Sequence, residues 1–324
     1  MEGSAKKYPQ RPRVQRRTEP LTDTSHPLLV TSLIFQAVRL TSSVLGQLRK
    51  GRKMNKTLII AEIGINHNGN LDLAEKLIDV ASSAGCDFVK FQKRDIESCY
   101  TEEELNSPRE SPWGKTFRTQ KEGLEFSEWQ YDKIDEYCRK RKIGWFASPW
   151  DLKSIDFLSK YEMPWLKVPS ALITNMEFLE KCRMGIPIIL STGMSTLKMV
   201  QEAVQVCDPS VILHCTSTYP SKAEELNLRS IPRMMMEFPG KTIGFSNHSP
   251  GIIYMPVAVA LGARVVEFHI TLDRSMYGSD QAASIEPEGV FKVVKYIRGV
   301  ESALGDGVKR IYPSEEPIVK KLRR

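Results

Sequence analysis

The sequence predicts an α/β fold of one kind, a single-domain (β/α)8 TIM barrel over residues 54–324, and three observations predict it. Short apolar runs alternate without a break with stretches of helical periodicity from residue 57 onward. Eight such units fill about 250 residues, the usual length of one barrel. The first run leads into Glu62-Ile63-Gly64-Ile65-Asn66-His67-Asn68-Gly69-Asn70, which lacks the GxGxxG loop that an open doubly wound sheet would carry there.

The strand-like runs are 57–64, 88–92, 143–148, 165–169, 187–191, 210–215, 242–246 and 263–269. Helical periodicity falls between them at 71–84, 126–142, 152–161, 176–182, 196–207, 228–237 and 254–261, with a last stretch at 287–304. Gly85 after the first helix, Gly144 opening the third strand and Gly185-Ile186-Pro187 before the fifth punctuate the pattern. One connection is abnormal: residues 93–125 form a long polar insertion after the second strand, with no evident structure of its own. Loops of that length are lids, binding loops or disorder. With Arg109 and Trp113 in it, on the catalytic side of the barrel, it reads as a lid. After Leu304 only a short tail remains.

Of the 324 residues, 41% are apolar and 26% charged, ordinary for a globular protein. The formal charge of +7 is concentrated in residues 1–53, where eleven Lys/Arg face three Asp/Glu; the remainder carries −1. The folded part therefore gives no reason to expect a nucleic-acid partner. The leader is rich in Arg, Ser and Thr and interrupted by Pro9, Pro12, Pro20 and Pro27. It reads as a disordered or adventitious extension with Met54 as the natural start, although a transit peptide would share its composition. Its apolar stretch at 28–38 is too short to span a bilayer. The cysteines, Cys86, Cys99, Cys138, Cys182, Cys207 and Cys215, show no CxxC pair and read as reduced core residues of a cytoplasmic protein.

In a barrel, the polar residues at strand C-termini are the site candidates. They are Glu62, Lys90 with Gln92, Ser148, Lys167 with Ser170, Ser191, His214 with Ser217 and Tyr219, Ser246 with His248, and Glu267 with His269. Lys90 and Gln92 share a face opposite Val89 and Phe91, and Lys167 repeats the arrangement two strands later. A lysine facing the lumen is costly unless it meets an anion. Either lysine alone could instead snorkel along a helix to solvent. Both together, with the serine hydroxyls, suggest a multiply charged anion such as a phosphate bearing a carboxylate. His248 and His269, on successive strands, can share one borderline metal ion, leaving positions for water and substrate. Glu267, on the same face as His269, could orient an imidazole or a bound water, and Glu62 or Asp280 could complete the metal shell. His214 reads as structural; His67 could be structural or line the pocket.

These segments together resemble the sialic acid synthase family over about residues 58–322. The motifs that carry the resemblance are Ala61-Glu62-Ile63-Gly64-Ile65-Asn66-His67-Asn68-Gly69, Val89-Lys90-Phe91-Gln92, Leu190-Ser191-Thr192-Gly193-Met194, His214-Cys215-Thr216-Ser217-Thr218-Tyr219-Pro220, Ile243-Gly244-Phe245-Ser246-Asn247-His248 and Gly278-Ser279-Asp280-Gln281-Ala282-Ala283-Ser284. The resemblance implies Mn²⁺-dependent condensation of phosphoenolpyruvate with an N-acetylmannosamine-type sugar, giving a sialic (nonulosonic) acid and phosphate. By it, His248 and His269 match the metal ligands, and Lys90, Ser148, Lys167, Ser170, Ser191 and Ser246 the phosphoenolpyruvate positions. Gln92, Tyr219 and Asp280 match sugar contacts, and Glu62 the acid/base carboxylate. It also implies a homodimer.

Three departures bear on the acceptor. Leu172 stands where most of the family has a carboxylate, Ser217 where an amide is usual, and the family's C-terminal antifreeze-like domain is expected to be absent. The first two make the sugar end less polar and would suit the deoxy diacetamido sugars that lead to legionaminic- or pseudaminic-type acids. The third leaves sugar capping to the Arg109–Trp113 segment. Outside the family, a metal-dependent aldolase or isomerase acting on sugar phosphates shares the metal and the lysines. A scaffold that has lost catalysis fits poorly with the retained Glu62, Lys90, Lys167, His248 and His269. A reading in which the leader tethers the barrel to an anionic membrane or nucleic acid predicts affinity that falls steeply with salt.

Overall fold

The computed structural model describes residues 56–323, so the basic leader lies outside the described residues. Eight parallel strands form, labelled in chain order β1 (Leu58–Gly64), β2 (Phe88–Lys93), β3 (Gly144–Pro149), β4 (Leu166–Val168), β5 (Ile188–Ser191), β6 (Val211–Cys215), β7 (Thr242–Asn247) and β8 (Val265–His269). Their hydrogen-bonded order is β3-β2-β1-β8-β7-β6-β5-β4. The two ends lie against each other, so the barrel closes at a seam between β3 and β4. Each expected strand is present within two residues of its predicted limits.

The barrel helices are α1 (Leu71–Ala84), α2 (Glu128–Arg141), α3 (Leu152–Leu158), α4 (Met176–Lys181), α5 (Leu197–Cys207), α6 (Ser230–Glu237), α7 (Tyr254–Ala260) and α8 (Pro287–Leu304). Local chemistry explains the limits of α1. The Asn70 side chain accepts the Leu73 N–H at its start, and Gly85 ends it in the left-handed region at φ 86°. Between them Ala74, Leu77, Ile78 and Ala81 form one buried stripe. At the barrel's N-terminal face, Arg298 of α8 donates to the Thr57 carbonyl at 2.8 Å and pairs with Asp87 at 3.1 Å. No helix among the described residues is long and apolar enough to cross a membrane, and all six cysteines are unpaired.

The expectation of a structureless insertion after β2 is corrected. Residues 93–125 fold into two short helical turns, Ile96–Cys99 and Glu102–Leu105, a hairpin of Pro108–Ser111 with Gly114–Thr116, and a helix, Phe117–Leu124. Tertiary contacts hold it. Trp113 packs edge-on to Tyr277 at 5.7 Å and fills the space a side chain at Gly123 would need. Gln120 Nε2 donates to the Tyr277 hydroxyl at 2.6 Å. Just beyond the helix, Phe126 stacks on His67 at 3.9 Å. The insertion thereby bridges from the end of β2, over the loop after β1, to the loop after β8.

Candidate active site

Parallel register assembles the floor of the site. It sets Glu62 of β1 beside both Lys90 of β2 and His269 of β8, Gln92 beside Ser148 of β3, and Ser246 of β7 beside both Glu267 of β8 and Cys215 of β6. In β2, residues 90 and 92 point the same way because side chains alternate along a strand. β1 breaks register between Glu62 and Gly64. At Gly64 (φ 56°) a Cβ would stand 3.0 Å from Glu62 Oε1 and 3.1 Å from Gln92 Nε2, so the glycine leaves room for the bond between them.

The two lysines are buried and each has a glutamate. Lys90 Nζ lies 2.7 Å from Glu62 Oε2 and donates to Ser148 Oγ at 3.0 Å. Lys167 Nζ reaches across the lumen to both oxygens of Glu267, at 2.8 and 2.9 Å. Ser246 Oγ donates to the same carboxylate at 3.1 Å, and Gln92 Nε2 donates to Glu62 Oε1 at 2.9 Å. Burial alone would raise the Glu267 carboxyl, but the Lys167 and Lys90 ammoniums outweigh it and hold it below the usual carboxylate range. Burial in turn pulls the Lys167 ammonium down, against the opposing pull of Glu267. Of the two roles expected for Glu267, an imidazole or a bound water, the first does not hold: its oxygens bond Lys167 and Ser246.

The two histidines meet at the same place, ring centroids 5.5 Å apart. His248 Nδ1 lies 2.5 Å from the Thr216 carbonyl, which can only accept, so Nδ1 carries the proton and Nε2 a lone pair. That lone pair faces the Tyr219 hydroxyl at 3.0 Å. Burial, reinforced by His269, lowers the His248 imidazole to about 3, so the ring is neutral as a metal ligand must be. His269 Nδ1 is buried with no hydrogen-bond partner and stands 3.5 Å from Asp280 Oδ2.

Two imidazoles with water and substrate oxygens suit a borderline divalent ion. The carboxylates expected to complete the shell, Glu62 and Asp280, are not placed to ligate directly. Glu62 is engaged by Gln92 and Lys90, and among the described residues no three His, Cys, Asp or Glu side chains are placed to hold a metal together.

A cleft of about 590 Å³, counting its open mouth, has in its wall Glu62, Lys90, Gln92, Ser148, Lys167, Ser170, Ser191, Ser217, Tyr219, His248, Glu267 and His269. Two expected substrate contacts are not in that wall. Ser246 sits behind Glu267 and within 3.4 Å of His248 Nε2, and Asp280 stands behind His269. Two further expectations are corrected. Leu172 does not line the cleft; Ala171 and Met194 do. Arg109 is exposed on the hairpin and Trp113 is spent on Gly123 and Tyr277, so neither lines the cleft. His67 is structural: burial holds it near 3, and its Nδ1 accepts the Gly69 N–H at 3.0 Å. His214, bonded through Nε2 to the Leu226 carbonyl, is structural as expected.

Residues that the sequence reading passed over also shape the site. Trp150 and Met194 line the mouth. Arg94 lies with its guanidinium 4.1 Å over the Trp150 ring and donates to Gln92 Oε1 at 2.6 Å. The alternation Lys90, Gln92, Arg94 was a signal for it. Ser170 Oγ accepts the Gly193 N–H at 3.0 Å, and a Cβ at Gly193 would lie 2.0 Å from Ser217 Oγ, so that glycine admits both serines to the wall.

Comparison with known proteins agrees with this geometry. The NeuB family model matches residues 77–309. The chain is 41% identical over 271 residues to human N-acetylneuraminate-9-phosphate synthase, covering 82% of this chain and 76% of that one. It is 36% identical over 282 residues to N,N'-diacetyllegionaminic acid synthase of Campylobacter jejuni, covering 84% of each. Among solved structures, N-acetylneuraminic acid (sialic acid) synthetase from Leptospira borgpetersenii serovar Hardjo-bovis, in complex with citrate, superposes with a TM-score of 0.73 at 31% identity, covering 83% of this chain and 93% of that one. By family model, sequence and fold alike, the chain belongs to the NeuB family, the enzymes that include the sialic acid synthases.

Proposed function

We propose that the chain condenses phosphoenolpyruvate with an N-acylated mannosamine-type sugar, releasing inorganic phosphate and a nonulosonic acid. The observation that carries this reading is the convergence of two buried ammoniums and two imidazoles on one cleft. Two ammoniums suit a doubly acidic enol ester, and the imidazoles suit a manganese-like ion. Relatives named for N-acetylneuraminate-9-phosphate, legionaminic acid and pseudaminic acid synthesis support the reaction class.

Lys90 and Lys167 bind the carboxylate and phosphate of the donor, with Ser148, Ser170 and Ser191 supplying hydroxyls. As the anion takes up the ammoniums, Glu62 loses its ion-pair partner and its Oε2 becomes free to accept a proton. C3 of the enol attacks C1 of the open-chain aldehyde, forming the new C–C bond while the C1=O π pair moves to the aldehyde oxygen, and leaving cationic character at C2. Water adds to C2 and gives one proton to Glu62, which passes it to the alkoxide at C1. The C2–O bond to phosphate then breaks, its electron pair leaving with phosphate, which takes the C2 hydroxyl proton as the ketone forms. A divalent ion held by His248 and His269 would supply Lewis-acid polarisation of the aldehyde oxygen. Tyr219, whose phenol burial keeps protonated, donates at His248 when that nitrogen is otherwise free.

The test is phosphate release from phosphoenolpyruvate with a panel of N-acylated mannosamines, with and without Mn²⁺. Release that requires donor, aldose and metal together is expected. Turnover of a sugar phosphate without phosphoenolpyruvate would replace this reading by the aldolase or isomerase.

A further inference from the structure

One chain of polar contacts enters the cleft from behind its wall. Arg94 is only 8% exposed and does not line the cleft, yet its Nη2 donates to Gln92 Oε1 at 2.6 Å. Gln92 does line the cleft, and its Nε2 donates to Glu62 Oε1 at 2.9 Å. The two ends of this chain admit one orientation of the amide between them. A guanidinium can only donate and a carboxylate can only accept, so the Gln92 carbonyl must face Arg94 and its NH2 must face Glu62. Turning the amide over would set donor against donor and acceptor against acceptor, and both bonds would be lost.

The guanidinium is itself held on two sides. It lies 4.1 Å over the Trp150 ring, and its Nη1 stands 3.7 Å from Glu125, whose other oxygen accepts the Arg94 backbone N–H at 3.1 Å. The Gln92 backbone is fixed as well, in register with Ser148 and with its carbonyl accepting the Tyr131 hydroxyl at 2.8 Å. What Arg94 adds is control of the side-chain amide. Glu62 needs that control at one stage. In the free site its Oε2 pairs with Lys90 at 2.7 Å. Once the donor's anion takes up Lys90, Gln92 is the remaining side chain that bonds the Glu62 carboxylate among the described residues.

We propose that Arg94 is a positioning residue that acts through Gln92: it locks the amide so that Glu62 keeps one oxygen tethered while the other takes the proton. The inference rests on the condensation reading and deepens it. A guanidinium suits the task because its separate nitrogens serve Glu125 and Gln92 at once in a fixed plane, which a single ammonium does not do.

Two measurements on the full chain test it. The first needs no turnover: hydrogen exchange of the Gln92 side-chain amide, followed by nuclear magnetic resonance with isotope-labelled glutamine and assigned by its loss in Gln92→Leu. Arg94→Met is expected to speed that exchange at least about tenfold, the scale of one charge-assisted hydrogen bond; an unchanged rate overturns the proposal. The second is a double-mutant cycle on phosphate release, at saturating phosphoenolpyruvate, Mn²⁺ and whichever N-acylated mannosamine is turned over best. Arg94→Met is expected to lower kcat at least about tenfold with phosphoenolpyruvate KM within about twofold. In a Gln92→Leu background, where no amide is left to lock, the same change is expected to cost less than about threefold. An Arg94 that merely props the insertion would cost as much in both backgrounds, and that result overturns the proposal. Should Arg94→Met not fold, Arg94→Lys keeps a charge beside Glu125 and carries both measurements in the same direction; wild-type exchange and kcat in that variant overturn the proposal. If the unaltered chain releases no phosphate with any acceptor, the condensation reading falls, and the amide exchange alone decides whether Arg94 holds Gln92.

Discussion

On the floor of the cleft every ionised group has its partner on a neighbouring strand or across the lumen, whereas at the rim the charges come from a folded insertion and are left in excess. Lys90 has Glu62 beside it by β-ladder register and Lys167 has Glu267 across the lumen, and all four are almost fully buried. At the rim, Lys121 rests on aromatic faces and Arg94 is shared among Gln92, Glu125 and Trp150. A preorganised polar floor suits charge that is the same in every turnover, while short elements at a rim can vary without disturbing it.

The sharpest way to break the comparison is to remove the divalent ion proposed at the imidazoles. Chelation is expected to abolish phosphate release and Mn²⁺ to restore it, with His248→Ala and His269→Ala each losing bound metal by elemental analysis; full activity in chelator would leave the imidazoles without their assigned role. Next, Glu267→Ala strands the Lys167 ammonium in a closed site and is expected to cost about 3–5 kcal/mol of stability. A loss below about 1 kcal/mol in urea unfolding would mean the pair is solvent-screened and the floor is not what it is taken to be. Glu62→Gln is expected to lower kcat about a hundredfold or more with metal content unchanged; a merely structural Glu62 would show its effect in unfolding instead. The smallest effect is at the rim. Ser217→Asn is expected to move acceptor KM within about tenfold, one hydrogen bond's worth, and to leave phosphoenolpyruvate KM alone.

The same division decides what could be read from the sequence. The barrel was legible because β1, β6 and β8 are near-continuous apolar runs, punctuated at Gly85 and Gly185. The floor was legible because Lys90, Gln92 and Lys167 break an apolar alternation at strand ends. Partnership was not: Lys167 and Glu267 are 100 residues apart, and only barrel closure brings them together. Glu267 was accordingly read as orienting an imidazole or a bound water. The insertion failed for a different reason. Its elements run from three to eight residues, too short for periodicity, and rest on Trp113 over Gly123 and Gln120 on Tyr277, contacts that have no signature along the chain.

The pairing of each floor lysine with its own glutamate has a kinetic consequence. Two cations and two anions make the floor a zwitterion with little field beyond contact range, so it is not expected to concentrate ordinary inorganic anions from solution. Capture of a charged substrate then depends on the unbalanced rim. Its association rate should fall with ionic strength through Lys121 and Arg94, even though the residues that hold the anion for reaction lie below them.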